Sequence, residues 1–383
     1  MKAIYSTTKY YCFNALLLCV ISFAGCTQPK SAGDTLSKSD IPKLLEQGKT
    51  AYYNADYSKA KDAFKKCADE GNSQGQYWLG YTTMRAEGHY SDTDTLTMSK
   101  EEVNKYIYDL YKKSADQNDG DGFFGLAVCY ANGVGVTNDM GKYYEYLDKS
   151  VELNSAFGKA YKGIAIIGKG GAENIQKGLA LIKESAEAGN YIGKTKLAAC
   201  YIEGVGADKD SNKALELLRE CAEHNTTEAN SILARLYYFG TTDIPENKTQ
   251  AFKYAQKGQL DGITLYILSL CHYNGYGTEK NEGRAAAYAH MSAKCGYALG
   301  ESWWASFCED GYGTLEEAFD WYMKAADQDI IFATYAVGEF LLKGKAGRTD
   351  YATAKRYLQK AASMGSKEAQ ELLDTYQFEL YNY

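Results

Sequence analysis

Few residues of this 383-residue chain stand at the spacing that catalysis or metal binding requires. Ser58 and Lys61 form a Ser-x-x-Lys pair, which activates a serine nucleophile in penicillin-binding enzymes, but the Ser-Asp-Asn and Lys-Thr-Gly partners of that chemistry are absent from the sequence. The Gly-Lys-Thr at 193–195 ends like a phosphate-binding loop, yet that loop needs a glycine where Ala188 stands. The four histidines include no His-x-x-x-His pair, and the ten cysteines include no Cys-x-x-Cys pair. The sequence therefore predicts no catalytic residue, no cofactor-binding residue and no metal ligand.

Tyrosine is the residue type in clearest excess, with 35 of 383 residues. Many of these rings are expected to serve packing, but they are too numerous for all of them to belong to a core. Aromatic side chains on a curved surface suit peptide or glycan recognition, because tyrosine offers contact area and a hydrogen bond at low entropic cost. Tyr77, Tyr81 and Tyr161 are the candidate partner-binding residues, and we expect them on the surface of the first helices of helical hairpins.

The charge of the chain narrows the class of partner. The formal net charge is −7, and it becomes −9 if a segment carrying Lys2 and Lys9 is removed. Because no cluster of basic residues is present, nucleic acid and anionic lipid surfaces are excluded as expected partners. A neutral or basic protein or peptide is the partner that suits this negative charge better, and the sequence does not identify it.

One segment recurs along the chain with a period of about 36 residues, as repeat proteins do. In six of eight copies a small residue is followed, six positions later, by a glycine, and the first and third copies lie slightly off this register, at Gly88 and Gly170. The small residues are Gly80, Ala127, Ala165, Ala198, Ala234, Ser269, Ala305 and Gly338, and the glycines are Gly133, Gly204, Gly240, Gly275, Gly311 and Gly344. Such a period predicts helical hairpins stacked side by side.

A second repeated position marks the end of each second helix. The residues three places beyond it tolerate a left-handed backbone, which ends a helix. They are Gly71, Asn118, Asn154, Gly189, Asn225, Asp261, Gly296, Asp329 and Gly365. Rows of small and large residues precede them at i, i+4 and i+8, such as Ala214 with Leu218, and these predict one buried stripe on each second helix.

The turns between the helices carry a family resemblance. Residues 126–136 and 197–206 follow a Leu-small-x-x-Tyr-x-x-Gly-x-Gly pattern, while Lys213-Ala214 and Lys324-Ala325-Ala326 match its second half. The chain thus resembles the Sel-one-like repeat family, a relative of the tetratricopeptide repeat, over residues 41–365. The resemblance implies an all-α solenoid of about nine antiparallel helical hairpins. It implies partner binding without a cofactor, but it names no partner because the family serves many.

The N-terminus is typical of a targeting segment. Residues 10–25 are apolar and follow a basic start, and Phe23-Ala24-Gly25-Cys26 resembles the lipobox of bacterial lipoproteins, apart from Phe23 where an aliphatic residue is usual. The resemblance implies a signal peptide at 1–25, a lipid on Cys26 and a polar tether at 26–40. Membrane association would then be only through this lipid, on the outer membrane facing the periplasm. An ordinary secretory signal ending near Cys26 is the alternative.

Two places interrupt the period. Residues 89–101 form an insertion that we expect to be a polar loop, and residues 366–383 are expected to form a C-terminal capping helix over the solenoid at 41–365. The seven cysteines after Cys26 fit small apolar positions between helices better than a regular disulfide set. A pair of Cys271 with Cys308 stays open at this point.

The sequence as a whole favours a non-catalytic protein–protein interaction scaffold in the bacterial cell envelope. Two alternatives from other classes remain. One is a peptidoglycan-binding or glycan-binding protein that uses surface aromatics. The other is a cell-wall hydrolase or penicillin-interacting enzyme on a repeat scaffold, which lacks a local catalytic motif.

Overall fold

The computed structural model describes residues 39–85, 98–258, 260–347 and 349–376, and over these residues it is entirely helical with no strand. The helices are α1 Ile41–Tyr53, α2 Tyr57–Asp69, α3 Ser73–Arg85, α4 Lys100–Ala115, α5 Gly120–Asn132, α6 Met140–Glu152, α7 Ala156–Ile167, α8 Ala172–Glu187, α9 Tyr191–Glu203, α10 Ser211–Glu223, α11 Thr227–Phe239, α12 Lys248–Ala255, α13 Gly262–Asn274, α14 Glu282–Lys294, α15 Ala298–Phe307, α16 Leu315–Asp327, α17 Ile331–Lys343, α18 Tyr351–Ser363 and α19 Lys367–Thr375. A π-helical turn, Cys308–Tyr312, follows α15. The predicted all-α fold class is confirmed.

The helices pair in chain order, so that odd-numbered helices are the first and even-numbered helices the second of each hairpin. The described residues divide into two units by their internal contacts. Unit 1 runs to Ala229 and unit 2 begins at Asn230, so the boundary falls within α11. Within the described ranges, no helix is long and apolar enough to cross a membrane.

The turn chemistry predicted from glycine spacing is confirmed. All six glycines that follow the small residues have a positive φ, between 65° and 95°, and four of them end α5, α9, α13 and α17. Eight of the nine residues predicted to end second helices also have a positive φ. The ninth, Asp261, was predicted wrongly: its φ is −89°, and its carboxylate accepts the Thr264 amide at the start of α13. The reason is that α12 ends early, at Ala255.

The predicted buried stripe is present on most second helices. Ala60, Ala214, Ala285, Ala318 and Ala354 are all 0% exposed. In α12 the stripe lies one residue later than its predicted position. There Ala251 and Ala255 are buried, and the predicted Gln250 and Tyr254 are only half-buried.

In at least six places a second helix meets the next first helix through a pair of small residues eight positions apart. Four of these pairs are Ser–Gly: Ser114 with Gly122, Ser150 with Gly158, Ser185 with Gly193, and Ser292 with Gly300. A Cβ added to Gly158 would lie only 2.0 Å from the Ser150 Oγ. Alanine takes both places in two other copies, at 325/333 and 361/369, and all four of those alanines are 0% exposed. Glycine is therefore required where the partner is a serine that occupies the same space.

The structure tests some of the predictions for the edges of the fold. Ser99 caps α4, so residues 100–101 are helical rather than part of the expected loop, because a Ser99–Glu102 capping box starts the helix there. Residues 1–38, with the proposed signal and Cys26, lie outside the described residues, as do 89–97 and 377–383. Helix α19 packs against α18, with Ala369 fully buried. The seven described cysteines are unpaired thiols, so Cys271 and Cys308 form no disulfide.

Candidate functional site

The largest concentration of aromatic rings in unit 1 lies where α1, α3 and α7 approach one another. We call Tyr52, Tyr53, Trp78, Tyr81 and Phe157 the aromatic cluster. The Tyr52 and Tyr81 ring centroids are 5.5 Å apart, and the Phe157 ring lies 5.8 Å from that of Trp78 and 5.6 Å from that of Tyr81. The Trp78 and Phe157 rings meet edge-on and the other two pairs are tilted, and these distances are those of favourable aromatic contacts. First helices therefore hold this surface together through rings, and not only through the small residues of the repeat.

The structure places the three predicted partner-binding tyrosines at or beside this cluster. Tyr77 was expected on the surface, and that expectation was wrong: the residue is 0% exposed, with its ring packed on Tyr111 and Phe157. Tyr81 and Tyr161 are half-buried. The spacing of the repeat could not show this, because the ring contacts come from helices far apart in the sequence.

The surroundings of Tyr81 and Tyr161 differ. The Tyr81 hydroxyl is hydrogen-bonded to that of Tyr52, and burial raises the pKa of Tyr81 above its usual value. The Tyr161 ring packs 5.0 Å from that of Phe124 and lies 5.6 Å from the Lys196 ammonium. Both side chains retain some exposed surface, so both stay candidates for partner binding.

A polar network borders the aromatic cluster. The Gln74 amide donates to Asp119 at 3.0 Å and to Asp121 at 3.1 Å, which bridges the two carboxylates. The Ser73 and Ser155 hydroxyls each donate to one of these carboxylates at 2.6 Å. Burial raises the pKa of Asp121, although the bonds from Ser155 and Gln74 oppose that rise. The repeat pattern does not predict this network, and its one local signal is the Asp-Gly-Asp at 119–121.

The first hairpin also touches the far end of unit 1, through contacts that we call the clasp. The Asn225 side chain donates to the Tyr53 carbonyl at 2.7 Å, across 172 residues of sequence. The Tyr53 ring meets the Tyr191 ring at 4.8 Å, and the His224 ring stacks on Tyr191 at 4.3 Å. A further hydrogen bond joins Arg85 to Thr227. The clasp therefore holds α1 and α3 against the start of α9 and the turn before α11.

Three buried polar atoms of α3 have no hydrogen-bond partner among the described residues. They are the Tyr77 hydroxyl, the Trp78 indole nitrogen and the Thr82 hydroxyl, in side chains that are at most 4% exposed. Leaving such a group unpaired costs about 1–3 kcal/mol. Unit 1 thus carries an energetic cost on the helix at the centre of the aromatic cluster.

Two first helices of unit 2, α15 and α17, begin differently from the first helices around them. Side chains of Asp119, Ser155, Asn190, Asp261 and Ser366 cap α5, α7, α9, α13 and α19. In contrast, α15 begins after Tyr297 and α17 begins after Ile330, and neither residue makes a side-chain cap bond. Both positions are apolar or aromatic where the other repeats carry a polar cap.

The same two helix starts expose apolar side chains. Ile331 is 42% exposed and Phe332 is 54% exposed, and Leu299 is half-buried at the matching place in α15. We call Tyr297, Leu299, Ile331 and Phe332 the apolar row. The tyrosine excess does not predict this row, whose signal in the sequence is the absence of a polar cap before α15 and α17.

The described residues offer little to catalysis. They contain no cluster of side chains able to hold a metal ion. Burial raises the pKa of the Cys129 and Cys271 thiols to about 12, so neither forms the thiolate that a nucleophile needs. Burial also lowers the pKa of His272 and His290. The surfaces described above are built from rings, apolar side chains and hydrogen-bonding groups.

Comparison with known proteins agrees with the fold. The chain is 25% identical over 292 residues to the chitin synthase regulator SKT5 of Saccharomyces cerevisiae. This match covers 71% of this chain and 40% of that protein. It is 23% identical over 250 residues to chitin synthase regulatory factor 3 of Schizosaccharomyces pombe, covering 52% of this chain and 27% of that protein. The chain therefore spans less than half the length of these curated relatives.

A solved structure shares the architecture. The protective antigen c5321 of uropathogenic Escherichia coli, described as displaying an SLR fold, superposes with a TM-score of 0.53 at 24% identity, covering 90% of this chain and 73% of that one. The model of the Sel1 repeat matches seven segments, at 124–155, 165–190, 193–225, 227–258, 264–297, 304–330 and 331–366. Together these segments span more than half of the chain, which therefore belongs to the Sel1 repeat family.

Proposed function

We propose that this protein is a non-catalytic adaptor that holds a partner protein against the apolar row of unit 2. The observation that carries the proposal is the exposure of Ile331 and Phe332 at a helix start that lacks a side-chain cap. A polar cap contributes about 1 kcal/mol to the stability of a helix. Two successive first helices, α15 and α17, lack this cap and expose apolar side chains at their starts. Partner binding at these starts would explain why they depart from the repeat pattern.

The free energy available from burying Ile331 and Phe332 supports binding by a partner. Complete burial of an isoleucine or phenylalanine side chain contributes about 1.5–3 kcal/mol. Ile331 and Phe332 are each about half exposed, so a partner that covers both recovers a substantial part of that free energy. Interface energy concentrates in a few such anchors.

The two yeast relatives support a narrower form of the proposal. Both carry names that describe regulators of an enzyme. We therefore propose that the partner is an enzyme and that this chain regulates it by binding. A glycan-binding role is less well supported, because Tyr77 is buried and Tyr81 and Tyr161 are half-buried among protein side chains.

The apolar row makes a direct prediction about partner capture. Replacing Ile331 and Phe332 together by serine should lower the affinity for the captured partner at least tenfold, because both anchors lose their apolar surface. Partners crosslinked in the source cells, identified by mass spectrometry and then titrated against purified protein, provide the measurement.

A matched control separates this effect from a general loss of surface hydrophobicity. Met140 and Tyr144 on α6 in unit 1 are 47% and 46% exposed. Serine at both of these places should leave capture unchanged. Equal weakening by the two double variants, or full capture by the Ile331→Ser/Phe332→Ser variant, would contradict the proposal.

Attachment to a membrane through a lipid on Cys26 is a further proposal, supported by the sequence pattern alone. The Cys26→Ser variant should leave uncut precursor or release the protein from the membrane fraction. Metabolic labelling with a palmitate analogue measures the lipid directly. Unchanged labelling and membrane association of the variant would show that Cys26 is not the attachment site, and the adaptor proposal would still stand.

A further inference from the structure

The first hairpin, α1 and α2, contacts the rest of unit 1 through a lysine and a tyrosine of α1, in the way that a bound ligand would. Its helix α1 places Lys49 with its ammonium 5.8 Å from the Trp78 ring centroid. The positive charge of Lys49 also favours the ionised form of Asp121, in the polar network beside the cluster. One helical turn later Tyr53 reaches Tyr191 and accepts the Asn225 hydrogen bond. A cation and an aromatic ring four residues apart thus contact rings and an amide donor, while the Lys49 ammonium also pairs with Glu46 of its own helix at 3.2 Å.

We propose that the first hairpin is a built-in competitor, and that a partner segment with a cation and an aromatic residue one helical turn apart displaces it at the clasp. The surface that such a segment would occupy comprises Trp78, Asp121, Tyr191, His224 and Asn225. The helix α1 now seated on this surface shows which chemistry fits it. This site is separate from the apolar row, and the inference does not depend on the function proposed for that row.

Displacement of α1 requires the clasp contacts of Tyr53 to break. Tyr53 is half-buried, and the clasp holds it by one hydrogen bond to its carbonyl and by edge-on ring contacts. Close by, the Tyr77 hydroxyl and the Trp78 indole nitrogen are buried without hydrogen-bond partners among the described residues. An incoming segment that supplies acceptors to these groups gains hydrogen bonds that the closed form lacks. The Sel1 repeat model matches from residue 124 onward, so α1 lies outside the matched repeats.

The test uses the full-length protein and a peptide of its own sequence. The probe is a fluorescein-labelled peptide with the sequence of residues 41–57. In a Tyr53→Ala protein, which empties the ring position but keeps Tyr191, His224 and Asn225, the peptide should bind at least tenfold more tightly than in the wild type. A peptide carrying Lys49→Ala and Tyr53→Ala should not bind. Fluorescence anisotropy gives the affinities, and circular dichroism confirms that the protein is folded.

A second variant covers the case in which Tyr53→Ala unfolds the hairpin. Asn225 has a φ of 50°, so Asn225→Gly removes the side-chain donor without straining the backbone. Tyr53 and Tyr191 should then be acetylated faster by N-acetylimidazole, as mapped by mass spectrometry. Asn118→Gly, at the same left-handed turn position with a φ of 59°, is the control and should change neither rate.

Two results would overturn the inference. One is unchanged acetylation of Tyr53 and Tyr191 in the Asn225→Gly protein, which would show that this bond does not hold the clasp. The other is a Tyr191 that becomes reactive in the Tyr53→Ala protein while the wild-type peptide fails to bind. In that case the uncovered surface would not be a binding site.

Discussion

Replacing Gly158 by alanine should lower the free energy of unfolding by about 3 kcal/mol, because the new methyl group would overpack a closed interface between α6 and α7. The added Cβ would lie 2.0 Å from the Ser150 Oγ and 3.0 Å from the Ser150 Cβ. The hydroxyl is held in place by its bond to the Leu147 carbonyl at 2.7 Å. Urea unfolding followed by circular dichroism measures the loss.

A second substitution tests whether this one contact is the cause. Removing the hydroxyl in a Ser150→Ala/Gly158→Ala protein should recover more than half of the loss, since the alanine pairs at 325/333 and 361/369 occupy the same positions. Neighbouring substitutions in one contact are expected to be non-additive in this way. Gly283 is a helical glycine at which an added Cβ would lie 3.7 Å from the Asn281 Oδ1, an ordinary van der Waals contact, so Gly283→Ala should be neutral or slightly stabilising. Equal losses in the single and double variants would rule out the Ser–Gly contact as the cause.

Replacing Ala214 by aspartate should destabilise the protein by several kcal/mol, about the cost of burying an unpaired charge. Ala214 is 0% exposed on α10, in the stripe that packs on α9. Because each repeat contacts mainly its neighbours, the damage should be local. Hydrogen exchange should accelerate first in α9 and α10, while α17 and α18 keep their protection.

The control for Ala214→Asp is the same change on an exposed face. Ala180 on α8 is exposed, so Ala180→Asp should leave both stability and exchange nearly unchanged. Uniform loss of protection from α1 to α19 in the Ala214→Asp protein would contradict a fold of locally coupled repeats.

The sequence predicted the fold well because the repeat is a local, redundant signal. A glycine six residues beyond a small residue predicts a left-handed backbone conformation in the turn, and the six glycines named for this position all adopt it. Where the local signal failed, a neighbouring element had changed length. Helix α12 ends at Ala255, so Asp261 caps α13 instead of ending α12.

The candidate site was harder to predict, because it depends on contacts between distant repeats. The pattern of its own helix predicts Tyr77 on the surface, but the rings of Tyr111 and Phe157, which come from other helices, bury it. The clasp joins Tyr53 to Asn225, and no local pattern encodes that bond. The apolar row did have a local signal, namely Tyr297 and Ile330 at positions where neighbouring first helices such as α13 and α19 have a polar cap.

The central claim, that a partner is held on the apolar row of unit 2, is tested most directly by a hydrogen-exchange footprint of the complex. The captured partner should slow exchange at the starts of α15 and α17, around Tyr297, Leu299, Ile331 and Phe332. The start of α6, which exposes Met140 and Tyr144, should exchange at the same rate with and without partner. Protection confined to α6, with no change at α15 and α17, would contradict the account.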